Sequence, residues 1–128
     1  MRKKDTVKPT ERELAILGVL WERGVCTVRQ VNEAMGGKER VGYTTTLKLM
    51  QIMYEKGLLV RDDSARTHVY RAALGEEQTQ RELVGDLLEK VFAGSAEKLV
   101  MRALAAKKVS AKELAKIREM LDKVEASK

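Results

Sequence analysis

Residues 42–50 read GYTTTLKLM, and residues 54–59 continue as YEKGLL. Three consecutive threonines, Thr44, Thr45 and Thr46, are poor residues for a helix interior, because branching at Cβ costs rotamer freedom. The apolar residues after them, Leu49, Met50 and Met53, nevertheless keep helical spacing. A helix is therefore expected from about Tyr43 to Lys56, closed by Gly57 as the residue after its end. Turning Leu49, Met50 and Met53 inward leaves Tyr43, Thr44, Thr45, Lys48 and Gln51 facing outward. A helix that opens on hydroxyls and then presents a lysine needs a reason, and its neighbours supply one.

Upstream, Pro9-Thr10-Glu11-Arg12-Glu13 is a helix-start signal, with Thr10 as N-cap and Glu13 as its partner three residues on. Leu14, Leu17, Gly18 and Trp21 fall on one face of the helix that follows, widened by Ile16 and Leu20, and Arg23-Gly24 ends it. Thr27-Val28-Arg29-Gln30 repeats the cap, and Val28, Val31 and Met35 turn inward before Gly36-Gly37 breaks the second helix. Downstream, residues 58–61 have strand character, residues 62–66 are turn-like, and residues 67–71 alternate as a second strand. Three short helices followed by a hairpin is the order of a winged helix-turn-helix. The expected class is mainly α with a small two-stranded β-hairpin.

In such a fold the third helix is a recognition helix, and its first turn faces a DNA groove rather than a core. Short hydroxyls there can reach phosphates or base edges, and threonine methyls can touch thymine methyls. The free N–H groups and dipole of the helix start favour a phosphate as well. The bland alternative is that Thr44 only caps the helix while Thr45 and Thr46 fill space. Charge favours DNA: residues 1–73 carry 14 Lys/Arg against 9 Asp/Glu, whereas residues 74–128 carry 11 against 10. A basic front half points to a polyanion, with a solvated basic surface as the competing explanation.

The back half reads as helices in search of a partner. Leu83, Val84, Leu87, Leu88, Val91 and Phe92 form a broad apolar face that Gly94 ends. Ser95 can cap a second helix carrying Leu99, Val100 and Leu104, with Glu97 in its first turn. Ser110, paired with Glu113, opens a third with Leu114, Ile117, Leu121 and Val124. These helices hold one aromatic between them, so their apolar faces are buried most easily against a second copy. The alternative is that they fold back onto the winged helix. Residues 1–73 are thus expected to bind DNA and residues 74–128 to dimerise, through Leu83, Leu87, Leu88, Val91, Leu99, Leu104, Leu114, Ile117 and Leu121.

Other chemistries lack their residues. His68 is the sole histidine and Cys26 the sole cysteine of the 128 residues, which leaves no second ligand of either type for zinc or copper and no internal disulfide. Cys26 reads as a small buried residue, and a lone cysteine fits a reducing cytoplasm. Gly36-Gly37-Lys38 lacks the spacing of a phosphate loop. No apolar run approaches the roughly 18 residues of a membrane span, and the basic N-terminus has no signal-peptide middle region. The expectation is a cytoplasmic protein with no catalytic residues, no metal, no cofactor and no membrane association.

The chain resembles the penicillinase and methicillin-resistance repressor family (BlaI/MecI), bacterial winged-helix transcriptional regulators. The matching segments are PTERELAILGVLWERG, TVRQV, GYTTTLKLMQIMYEKGLL and ARTHVYRA, in the family order, and the likeness runs from about Pro9 to Val124. It implies a homodimeric repressor on double-stranded operator DNA of dyad symmetry, with β-lactam-response genes as the class controlled. The major-groove role falls on Thr44, Thr45 and Lys48. Arg66 stands at the wing tip, within reach of a phosphate or the minor groove, and Arg40 before the helix is a candidate backbone contact, with a merely exposed loop arginine as the alternative. Arg61 and Arg71 on the wing strands are weaker candidates. Ile52-Met53 stands where relatives often carry an arginine before an apolar residue. The copper-responsive branch's C-terminal cysteine cluster is missing. The resemblance also implies an inducing protease that cuts near an Asn-Phe pair, but the matching place reads Met101-Arg102-Ala103-Leu104, so a different protease or another signal fits equally well. Two rivals from outside the family are a winged-helix protein-interaction module and a small-molecule sensor.

Overall fold

The computed structural model describes residues 8–37 and 41–128. α1 (Glu11–Arg23) begins at Thr10, whose hydroxyl accepts the Glu13 N–H at 3.2 Å while the Glu13 carboxylate accepts the Thr10 N–H at 2.9 Å. α2 (Val28–Ala34) starts the same way, with Thr27 and Gln30 exchanging bonds of 3.1 and 2.8 Å. Both reciprocal caps are the ones the sequence spells out. α3 (Tyr43–Lys56) has the expected bounds and ends at Gly57, whose φ of 88° is the left-handed conformation that glycine adopts without strain.

The Leu58 N–H donates back to the Met53 carbonyl at 2.9 Å and so belongs to the helix end. The first strand, β1 (Leu59–Asp62), therefore starts one residue later than residue periodicity suggests. β2 (Val69–Ala72) pairs with it antiparallel, from Leu59 opposite Ala72 to Asp62 opposite Val69. At the far end the Asp62 carboxylate accepts the Ser64 N–H at 2.9 Å, a local turn that ends the ladder and leaves Thr67 and His68 in the wing loop. Cys26 adds a single bridge to Tyr70, exchanging bonds of 3.0 and 2.8 Å, which ties the α1–α2 turn to the sheet.

The core is aliphatic apart from Tyr70: Ile16, Leu17, Leu20, Val31, Met50, Met53 and Leu59 are buried with it. Trp21 lies at the edge, its indole N–H donating to the Leu74 carbonyl at 3.0 Å. Two polar features sit inside this core without being apparent in the sequence. Glu13 is buried and accepts from the Lys56 ammonium at 2.8 Å, which joins the start of α1 to the end of α3. Asn32 and Thr46 are buried and bonded to each other.

Three helices follow: α4 (Glu76–Val91), α5 (Ala96–Ala106) and α6 (Ala111–Ala126). Ser95 caps α5 by accepting the Lys98 N–H at 3.2 Å, and Ser110 caps α6 by accepting the Glu113 N–H at 3.1 Å. By packing, the chain divides into a unit that runs to Leu83 and a second, Val84–Lys128, so the division falls within α4. No residue of α5 or α6 is buried in the single chain, and the exposed apolar residues include Leu87, Val91, Leu104 and Leu121. Leu83, Leu88, Leu99, Leu114 and Ile117 are half-buried. Among the described residues no helix is long and apolar enough to cross a membrane. The chain is mainly α with one two-stranded hairpin, a winged helix-turn-helix with further helices after it.

Candidate nucleic-acid interface

α3 packs Thr46, Met50 and Met53 into the core and leaves Tyr43, Thr44, Thr45, Lys48 and Gln51 exposed, the outward set its periodicity predicts. The threonine row is thus divided, two residues out and one in. The bland reading of Thr44 as a cap does not hold: the N-cap is Gly42, which makes no side-chain bond to the helix. The first-turn N–H groups of α3 therefore lack a side-chain acceptor from their own cap, which suits an incoming anion.

Arg66 is exposed in the loop between β1 and β2. Arg61 is built differently. Its guanidinium lies 4.1 Å from the centre of the Tyr54 ring and its Nε is 2.7 Å from Asp63 Oδ1. The Tyr70 hydroxyl first, and then Asp63, hold its pKa above the ordinary arginine value. Arg61 therefore braces the wing against α3, while Arg71 is exposed on β2. Arg40 lies outside the described residues.

Between α2, α3 and the wing runs a cleft of about 670 Å³, whose lining includes Arg29, Gln30, Tyr43, Gln51, Arg66 and His68. It brings together three of the residues singled out by sequence, Tyr43, Gln51 and Arg66. Thr44, Thr45 and Lys48 do not line it; they occupy the rest of the exposed side of α3. Arg29 is the addition. Its guanidinium sits 5.4 Å from the Tyr43 ring centre, so α2 contributes a cation beside the first residue of α3. The signal for it was its place in the first turn after the Thr27 cap, on the exposed side of a short helix. Cys26 is buried, and burial pushes its thiol up against the opposing effect of Arg23, which keeps it a neutral packing group. Among the described residues no group of three His, Cys, Asp or Glu could hold a metal ion.

Comparison with known proteins places this fold in a family. The profile of the penicillinase repressor family matches residues 9–123. The chain belongs to the penicillinase repressor family. Two curated relatives, both named "Transcriptional regulator BlaI", come from Mycobacterium tuberculosis strains CDC 1551 / Oshkosh and H37Rv. Each is 29% identical over 116 residues, covering 89% of this chain and 83% of the relative. The YusO protein from Bacillus subtilis superposes with a TM-score of 0.50 at 16% identity, over 98% of this chain and 81% of that one, a likeness of fold. As a penicillinase repressor family member, the chain is a DNA-binding transcriptional regulator.

Proposed function

We propose that this chain is a homodimeric repressor that binds a dyad-symmetric operator, with residues 1–73 reading DNA and residues 74–128 holding two copies together in the cytoplasm. The observation that carries the reading is the first turn of α3, which buries Thr46 yet exposes Tyr43, Thr44 and Thr45 in sequence, followed by Lys48 and Gln51 on the same side. A helix start without a side-chain cap and with short hydroxyls outward is suited to insertion in a major groove. Arg66 on the wing and Arg29 on α2 flank that helix as cations for phosphates. Genes of the β-lactam response are the class proposed for control, on the family relationship.

The test is selection of bound fragments from genomic DNA by the purified protein at near-physiological salt. Recovery of a short dyad, with affinity falling as salt rises, supports the repressor reading. Weak, sequence-independent recovery would move the function to an architectural or protein-binding role. On the recovered operator, Lys48→Ala is expected to lose about tenfold in affinity while losing only about twofold on unrelated DNA, because its position addresses bases as well as phosphates. Arg66→Ala is expected to weaken both by similar factors. Normal operator binding by Lys48→Ala in a gel-shift titration would refute the assignment of the outward face.

A further inference from the structure

The four other helices with described caps begin at a Thr or Ser whose hydroxyl holds the first turn: Thr10, Thr27, Ser95 and Ser110. α3 begins at Gly42 with no such bond. The helix whose placement matters most for base reading is therefore not fixed by its own cap. What holds its start instead comes from α2. The Asn32 side chain donates from Nδ2 to the Val41 carbonyl at 2.8 Å and to Thr46 Oγ1 at 2.9 Å. Asn32 is 6% exposed and Thr46 1% exposed, so the bond between them is shielded from water, while the bond to the half-buried Val41 is partly so.

Those two acceptors bracket the segment of interest. Val41 precedes the cap and Thr46 closes the first turn; between them stand Tyr43, Thr44 and Thr45, all exposed. We propose that Asn32 is the positioning residue of the recognition helix: one buried amide nitrogen pins both ends of the turn that presents Tyr43, Thr44 and Thr45, and so fixes their height and rotation for base reading. The inference rests on the DNA-binding reading above and adds the origin of its sequence discrimination. A buried amide with both N–H groups satisfied selects one arrangement, because a shifted helix start would strand a donor in the core. Base-edge hydrogen bonds weaken steeply with misplacement, whereas attraction between a cation and a phosphate tolerates it. Loss of the pin therefore affects discrimination before it affects binding as such.

The experiment compares the affinity of the full chain for its selected operator with that for a shuffled duplex, for wild type, Asn32→Ala, Thr46→Val and the double variant. Thermal melts establish that each is folded. Asn32→Ala is expected to lower the operator-to-shuffled ratio about tenfold, with shuffled-duplex affinity and its salt dependence unchanged. Thr46→Val, which keeps the volume and removes one acceptor, is expected to lower the ratio by a smaller factor, and the double variant to be no worse than Asn32→Ala. A folded Asn32→Ala or Thr46→Val that keeps the wild-type ratio overturns the proposal, as does an equal loss on both duplexes. Should Asn32→Ala not fold, Thr46→Val decides alone. A wild type with no preference for any operator would instead overturn the repressor reading, and the positioning role with it.

Discussion

Lys56→Ala is expected to destabilise the winged-helix unit by about 2–3 kcal/mol, read as a shift of the urea midpoint with the slope unchanged. The substitution removes a surface residue by ordinary standards, since the Lys56 side chain is 37% exposed. Its partner is not at the surface: the Glu13 side chain is 3% exposed, and the ammonium that neutralises it sits at 2.8 Å. Removing the lysine leaves a buried carboxylate that still accepts the Thr10 backbone N–H but has no charge opposite it. A fully enclosed pair broken this way costs about 3–5 kcal/mol, and water at the vacated lysine position lessens that here. Glu13→Gln is the informative contrast. Glutamine can still serve in the cap with Thr10, and the lysine left behind can turn to solvent, so the cost should be nearer 1 kcal/mol. A Glu13→Gln loss equal to that of Lys56→Ala would show that the cost lies in losing the pair itself rather than in stranding a buried carboxylate.

The pH dependence separates the same effect from packing. Burial alone would push the Glu13 carboxyl up; the Lys56 hydrogen bond and the Thr10 backbone N–H outweigh it and hold the group below its usual value. A carboxylate lowered in the folded state contributes stability that is complete above the unfolded value, about 4.3, and is lost as pH falls through the folded value beneath it. Without Lys56 less opposes the burial effect, and Glu13 takes up a proton more readily. The gap between wild type and Lys56→Ala should therefore be widest above about pH 5 and narrow as the carboxyl protonates in both. A gap constant from pH 7 to pH 3 would assign the loss to the lysine's methylenes rather than to its charge.

What could be read from the sequence was local. Thr10 with Glu13 and Thr27 with Gln30 bond across three residues, and Gly57 acts on the helix it follows, so each pattern carries its own explanation. Periodicity likewise turns Met50 and Met53 inward and exposes Lys48 and Gln51 without knowledge of what they pack against. The features that escaped join distant elements. Glu13 reads as a capping residue, and its second role depends on a lysine that only the packing of α1 against α3 brings near. Thr46 looks like its two neighbours in the row, and only the proximity of Asn32 distinguishes it. Arg61 reads as a weak wing contact in sequence, and only the fold sets it against Tyr54 and Tyr70. Arg29 has a local sign, its place in the first turn after the Thr27 cap, but that it lines the same cleft as Tyr43 and Arg66 depends on α2 lying beside the wing.

The largest functional loss should follow from a single charge placed outside the winged-helix unit. Leu121→Asp lies on α6, where Leu121 is 61% exposed in the single chain and no residue of the helix is buried. An aspartate at a site so exposed costs a monomer little, so the variant should fold with an unchanged melting profile for the winged-helix unit. If two copies cover this face, the same aspartate must be desolvated opposite apolar neighbours, and the pair should separate. Each released copy then holds one half-site by itself. Linking two half-site contacts raises overall affinity by about 10²–10⁴ over either alone, so operator affinity should fall by at least about a hundredfold. Binding to a single half-site should be nearly unchanged, since the recognition helix and wing are untouched. Sedimentation equilibrium on Leu121→Asp, with Leu104→Asp on α5 as a second probe at 38% exposure, reads the first step, and gel-shift titration on full and half operators reads the second. Variants that stay dimeric would remove α5 and α6 from the interface. Variants that become monomeric yet keep full operator affinity would mean that the dyad is read by copies that meet only on DNA.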